Sequence, residues 1–225
     1  MKNNMIVWLI YVIVVVVVAS CTDMNDYLKY TNGKELVYSG RVDSAFVHSG
    51  KNRVLIKGLL MSDPKVVKVR AYWNSRSEMA EINLERSAAV DTIKIYINLP
   101  EGRYNFELFT YDKDGNSSVA VPISGSSYGA RYEGALSNQP IKSIIRREGK
   151  TIITLYKTDE TVEFTEITFT DSGSRNQVLR VKNDATIVEL ANIPSKSLFK
   201  YQTFYKPNKK ALDIFSAKAE MLASP

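Results

Sequence analysis

"NLPEGRYNFELFTYDKDGNSS", residues 98–118, decides the fold of this chain. Tyr104, Phe106 and Leu108 alternate with Asn105 and Glu107, the period-two pattern of a strand with one buried face. "PEG" at 100–102 and "DKDGN" at 112–116 bound that strand with residues that favour turns. The same alternation recurs upstream. In "VVKVRAYW" Val67, Val69, Ala71 and Trp73 share a face opposite Lys68, Arg70 and Tyr72, and in "TIKIYINL" Ile93, Ile95, Ile97 and Leu99 oppose Lys94, Tyr96 and Asn98. With a further turn at "SDP", 62–64, these short, evenly spaced strands predict an antiparallel sandwich.

The pattern occurs twice. "NLPEGRYNFELFTYDK" from Asn98 aligns with "NIPSKSLFKYQTFYKP" from Asn192, an offset of 94 residues. About 100 residues make one immunoglobulin-like domain, so tandem copies of one sandwich are expected. In "TVEFTEITF" the phase slips, with Val162 and Phe164 on one face and Ile167 and Phe169 on the other, which predicts a β-bulge. The last ten residues, "SAKAEMLASP", are good helix formers but too few for a stable helix unless they dock.

Trp73 in a central strand, followed by Leu99, Gly102, Tyr104 and Phe106, resembles a fibronectin type III domain over residues 34–124. The resemblance implies that Trp73 and Tyr104 are structural, Tyr104 returning its hydroxyl to the backbone a few residues upstream. The second copy, 141–215, departs from the pattern: Leu198 or Phe199 stands where Tyr104 stands, and no Trp is present. The expected fold class is therefore all-β: two tandem fibronectin type III or immunoglobulin-like antiparallel β-sandwiches. Residues 125–140 are expected to link them, with 216–225 as a tail.

Upstream of the sandwiches, Met5–Ala19 is an uninterrupted run of 15 residues without charge, preceded by Lys2. A spanning helix needs about 20 apolar residues, so the run suits the apolar region of a secretory signal peptide better. Val18, Ala19, Ser20 and Cys21 resemble the lipobox of bacterial lipoproteins. That resemblance implies removal of 1–20, lipidation of Cys21 and a tether over 21–33. Each buried methylene of an acyl chain contributes about 0.8 kcal/mol, and two chains give stable anchoring. Asp23 and Asp26 resemble the signal that sends lipoproteins of Bacteroidetes-type bacteria to the outer face of the outer membrane. Cys21 is the one Cys of the chain, so no disulfide is available and stability must come from hydrophobic cores.

The formal net charge of +6 falls to +5 without residues 1–20, which carry Lys2. The densest basic clusters are Lys142, Arg146, Arg147 and Lys150, and Lys206, Lys209 and Lys210. A nucleic-acid binder gathers such charge into a stripe, so no nucleic-acid partner is expected. A single His, His48 in the apparent hairpin turn "VHSGKN", and a single Cys leave no His-based metal site, Cys nucleophile or nucleophile elbow. No catalytic residue and no cofactor are expected. Asp112, Asp114 and Asn116 begin a calcium-loop spacing, but the bidentate Glu of such a loop does not follow and a turn is the better reading. Tyr72, Tyr96 and Tyr111, on faces opposite the apolar residues of their strands, and Tyr128 and Tyr132, in "SGSSYGARYEGALSN", are the candidates for stacking on sugar rings.

The segments "SCTDMNDYLKY", "YSGRVDSAFVHSGKNRV", "YDKDGNSSVAVPISGSSYGARYEGALSNQPI" and "FYKPNKKALDIF" together resemble a family of Bacteroidetes outer-membrane lipoproteins of unknown function. Such families accompany glycan-capture systems of the starch-utilisation type. The resemblance implies an acylated, outward-facing, non-enzymatic module whose partners are the membrane, polysaccharide and other outer-membrane glycan-uptake proteins. Two other expectations stand beside it: a structural spacer or adhesin-like protein without a small ligand, and an envelope lipoprotein facing the periplasm.

Overall fold

The computed structural model describes residues 37–61, 63–85 and 90–225. The signal segment 1–20, Cys21, Asp23, Asp26 and the tether 21–33 lie outside the described residues. Ser39–Pro225 forms one compact unit that holds both sandwiches.

In the first sandwich β1 (Asp43–Gly50), β2 (Arg53–Leu60) and β5 (Asp91–Asn98) form one antiparallel sheet in the order β1-β2-β5. β3 (Val66–Trp73), β4 (Glu78–Asn83), β6 (Gly102–Asp112) and β7 (Val121–Ser127) form the other, in the order β4-β3-β6-β7. Alternation does what the sequence implies: Ile93, Ile95 and Ile97 of β5 are buried between the sheets against Val54, Ile56, Val69, Ala71, Phe106 and Leu108. Trp73 is buried too, edge-on to Phe106, and its indole N–H donates to Glu78 at 2.6 Å. A bulge in the β3–β6 pairing between Val66 and Lys68 turns Val66 into the core and leaves Val67 half-buried, correcting the expected face of Val67. Tyr104 is half-buried, and its hydroxyl donates to the Pro100 carbonyl at 3.0 Å, closing the corner before β6.

The second sandwich repeats this order, with two short strands in the place of β7. β8 (Ile141–Arg147), β9 (Lys150–Leu155) and β12 (Ile187–Leu190) form one sheet; β10 (Val162–Thr170), β11 (Asn176–Lys182) and β13 (Leu198–Tyr205) form the other, with β14 (Phe215–Ser216) and β15 (Glu220–Ala223) both paired to the free edge of β13. The fold is thus two tandem fibronectin type III-like sandwiches, each with its own core. The bulge expected in "TVEFTEITF" lies between Val162 and Phe164. It sends Val162 inward with Thr165, Ile167 and Phe169, and leaves Phe164 on the other face, stacked on Phe204. No tyrosine closes the second corner; Ser197 does, its hydroxyl donating to the Pro194 carbonyl at 2.6 Å.

Two expected boundaries change. β7 runs to Ser127, so the first part of the 125–140 linker belongs to the first sandwich. The rest of that linker is ordered: it bridges Tyr128 to Lys51, forms a short helix, α1 (Ala130–Ala135), and ends in the buried Gln139. Gln139 donates its backbone N–H to the Thr203 hydroxyl, and its side-chain and backbone carbonyls accept from the hydroxyls of Thr165 and Tyr201, which fastens the start of the second sandwich to its core. The tail 216–225 is not a tail and not a helix. Without these residues the edge of β13 would present unpaired backbone donors and acceptors, and pairing with it outweighs the weak helix preference of ten residues.

β7 lies against β1 so closely that a Cβ on Gly125 would stand 2.4 Å from Val47 Cγ1. Gly125→Ala should cost about 1–3 kcal/mol in urea unfolding through overpacking, and Val47→Ala in the same chain should recover part of that loss.

Candidate functional site

The turn from β3 to β4 contains no Gly or Pro, yet Asn74, Ser75 and Arg76 all take positive φ, at 49°, 55° and 65°. Left-handed conformation in a residue with a side chain is sparsely populated, and strain of this kind persists where the surroundings over-determine it. Here Glu78 does so. Its carboxylate accepts from Asn74 Nδ2 at 2.7 Å as well as from the Trp73 indole, so a core residue and the turn hang from one side chain.

The turn forms one wall of an open cleft of about 460 Å³, whose other wall is the start of β6. Tyr72, Asn74, Arg76, Arg103, Asn105 and Glu107 line it. Arg76 Nε pairs with Glu107 at 2.5 Å, and the guanidinium lies over the Phe109 ring. Arg103 is exposed and, among the described residues, makes no ion pair. An arginine fork between two amides can hold a carboxylate or vicinal hydroxyls. Glu107 is engaged by Arg76, which leaves the cleft without a free carboxylate pair for acid–base chemistry.

Beside the cleft, on the same sheet face, Tyr72 and Tyr111 meet with hydroxyls 3.3 Å apart. Arg70 lies over the Tyr111 ring at 4.8 Å and pairs with Glu81 at 2.8 Å. The hydrogen bond from Tyr111 lowers the Tyr72 pKa, whereas burial, followed by the neighbouring Tyr72, raises that of Tyr111. These two tyrosines are therefore brought together, but Arg70 covers one face of Tyr111. Tyr96 stands apart on the opposite sheet, 64% exposed. Tyr128 and Tyr132 converge elsewhere again, packing on each other at 4.6 Å and on Phe215 of the second sandwich at 6.0 and 5.1 Å.

That aromatic trio is one half of a joint between the sandwiches. The other half is polar. Asp213 accepts the Lys51 N–H at 2.7 Å and Arg53 Nη2 at 2.6 Å, and the Leu212 N–H donates to the Ser49 carbonyl at 2.7 Å. The Arg53 hydrogen bond holds the Asp213 carboxyl below its ordinary pKa. Glu101 accepts the N–H groups of Arg131 and Tyr132 at the start of α1, and Lys51 pairs with Glu133. His48 is not an exposed turn residue but a half-buried member of β1. Its Nδ1 donates to the Lys210 carbonyl at 2.7 Å, since a carbonyl can only accept. Asp213 carries no signal in the sequence: its partner lies 160 residues away and no local pattern joins them.

Asp112, Asp114 and Asn116 do form a turn. Asp112 spends its carboxylate on the Asp114 and Asn116 amides and on Asn116 Nδ2, donors that a metal ion would have to displace. Among the described residues no cluster of His, Cys, Asp and Glu suits a metal ion. Asp171 plays the equivalent part before β11, accepting from the Arg175, Gly173 and Gln177 nitrogens.

A family profile matches residues 21–215, most of the chain. The chain belongs to the DUF4998 family, a domain of unknown function. No curated protein matches this DUF4998 chain. Among solved structures it is similar to the FN1-FN3 domains of chicken CNTN1, with a TM-score of 0.38 and 11% identity over 84% of this chain and 64% of that one. It thus spans about 64% of the CNTN1 segment. It is also similar to a segment of two fibronectin type III domains from chicken tenascin, with a TM-score of 0.34 and 11% identity over 81% of this chain and 99% of that one.

The amide of Arg175 foremost, then the Gln177 and Arg175 side chains, lower the Asp171 pKa from 3.8 to about 2. A carboxyl with a lowered folded pKa stabilises fully above its unfolded pKa and ceases to do so as pH falls through the folded one. In thermal melts the parent should exceed Asp171→Asn at neutral pH, and the gap should close between pH 3.8 and about 2.

Proposed function

We propose that this chain is a non-enzymatic, lipid-anchored surface protein that carries a binding surface on a stiff two-sandwich stalk, as an accessory of polysaccharide capture or uptake. The joint carries the reading. Tandem domains move against one another unless the interface between them is substantial, and here an ion pair, backbone hydrogen bonds and an aromatic cluster all cross it. Stiffness of that kind suits a protein that must hold a site away from a membrane. The family match begins at Cys21 and leaves residues 1–20 outside, which supports an anchored mature chain starting there. The cleft at the β3–β4 turn, where Arg103 has no ion pair among the described residues, is the place for a carbohydrate.

A second reading, a spacer or adhesin-like protein with no small ligand, is favoured by the scatter of the candidate tyrosines over two opposite sheets and the joint. Titration of the protein with neutral and anionic polysaccharides separates the two: binding that Arg103→Ala weakens supports the first, and silence across the panel supports the second. The anchor is tested independently. Labelled fatty acid should enter the parent and not Cys21→Ser, and proteinase applied to intact cells should remove the protein. Survival of the protein on intact cells would mean that it faces the periplasm.

A further inference from the structure

In the outer face of the sheet β1-β2-β5, Lys57 and Lys94 stand directly opposite one another in the β2–β5 register. Opposite side chains in an antiparallel pair have Cβ atoms about 5 Å apart, and like charges there destabilise the sheet. Several outward cations on other strands have a carboxylate beside them: Lys68 and Arg70 with Glu81, Arg180 with Glu166, and Lys150 with Glu189. Among the described residues neither Lys57 nor Lys94 makes an ion pair. The same row continues through Phe46, opposite Lys57, to Lys210, whose Nζ lies 5.0 Å over the Phe46 ring. Three lysines therefore line one row, and among the described residues no carboxylate is paired to any of them. In the adjoining row Tyr96 stands opposite Leu55, which is buried, so the exposed ring rises beside the lysines from an apolar floor.

We infer that this face binds an acidic polysaccharide, Lys57 and Lys94 taking its carboxylates and Tyr96 the apolar face of a sugar ring. The inference rests on the glycan-capture reading and adds to it a ligand class and a site distinct from the cleft. Folding gains nothing from two lysines opposed in this way, whereas a polymer carrying negative charge at regular intervals relieves the repulsion. The tyrosine points to a sugar among polyanions. A flat, exposed aromatic ring stacks on a pyranose, while the carboxylates meet the ammonium groups alongside.

The test uses the full chain in detergent with three probes: polygalacturonate, its methyl ester, and poly-L-glutamate. Polygalacturonate should bind, and added salt should weaken it. The uncharged methyl ester should bind much less. Lys94→Gln should weaken polygalacturonate by about tenfold, the loss of one charge-assisted contact, and Lys57→Gln with Lys94→Gln should abolish it. Both variants should melt at or above the parent temperature, because the repulsion is gone; this separates lost binding from lost structure. Tyr96→Ala should weaken polygalacturonate while leaving any binding of poly-L-glutamate unchanged. The inference fails if the parent does not bind polygalacturonate, if the double variant still does, or if poly-L-glutamate binds as well as the acidic sugar. Binding of a neutral glycan that depends on Arg103 but not on Lys94, with none of polygalacturonate, would sink this inference and leave glycan capture standing.

Discussion

The grip of Asp213 on Arg53 and on the Lys51 amide is the contact that makes two sandwiches one object. It depends on Gly50, where a Cβ would stand 2.7 Å from Asp213 Oδ2. Its energy alone is small. The side chains are 44% and 23% exposed, and pairs of that kind contribute about 0–1 kcal/mol. The aromatic trio of Tyr128, Tyr132 and Phe215 adds about 0.5–1.5 kcal/mol per ring pair beyond the area it buries. The rings supply most of the adhesion. The ion pair and the Leu212–Ser49 hydrogen bond are directional, so they fix the angle at which the rings adhere.

Within each sandwich the logic is repeated with different side chains. Thr110 and Thr203 occupy matching buried positions in β6 and β13. Thr110 donates to the Gly40 carbonyl, and Thr203 accepts from the Gln139 N–H, so each ties the segment that enters its sandwich to a central strand. Glu78 and Asp171 each organise the turn after the central strand. The corner tyrosine is not duplicated, and a serine hydroxyl serves instead. Equivalent backbone needs have been met by unlike residues, which is why the internal repeat is faint in the sequence.

The strands were legible because alternation at period two follows directly from burying one face, and β5, β6 and β13 obey it. Bulges were legible only where they broke that alternation over several residues. "TVEFTEITF" announced one; "VVKVRAYW", with two adjacent valines at the slip, did not. The β3–β4 turn was hidden because "NSRS" lacks the Gly or Pro that usually marks positive φ. The end of the chain misled because its composition favours helix while the open edge of β13 favours a strand. Of the candidate site, the tyrosines could be found from their faces, but their scatter could not. Arg103, Asp213 and the opposed lysines emerge only when strands far apart in sequence are placed side by side.

For the proposed function, the consequence is that the surfaces proposed for binding, on either sheet of the first sandwich, are held at a set orientation to the second. A flexible linker in place of 128–140 would leave the same surfaces without that constraint. The direct measurement is the distance distribution between spin labels on Thr92→Cys and Lys182→Cys, one in each sandwich, in a Cys21→Ser background. The joint requires a single narrow distribution that broadens when Asp213→Ala and Tyr132→Ala are combined. A broad distribution in the parent, unchanged by those substitutions, would contradict it.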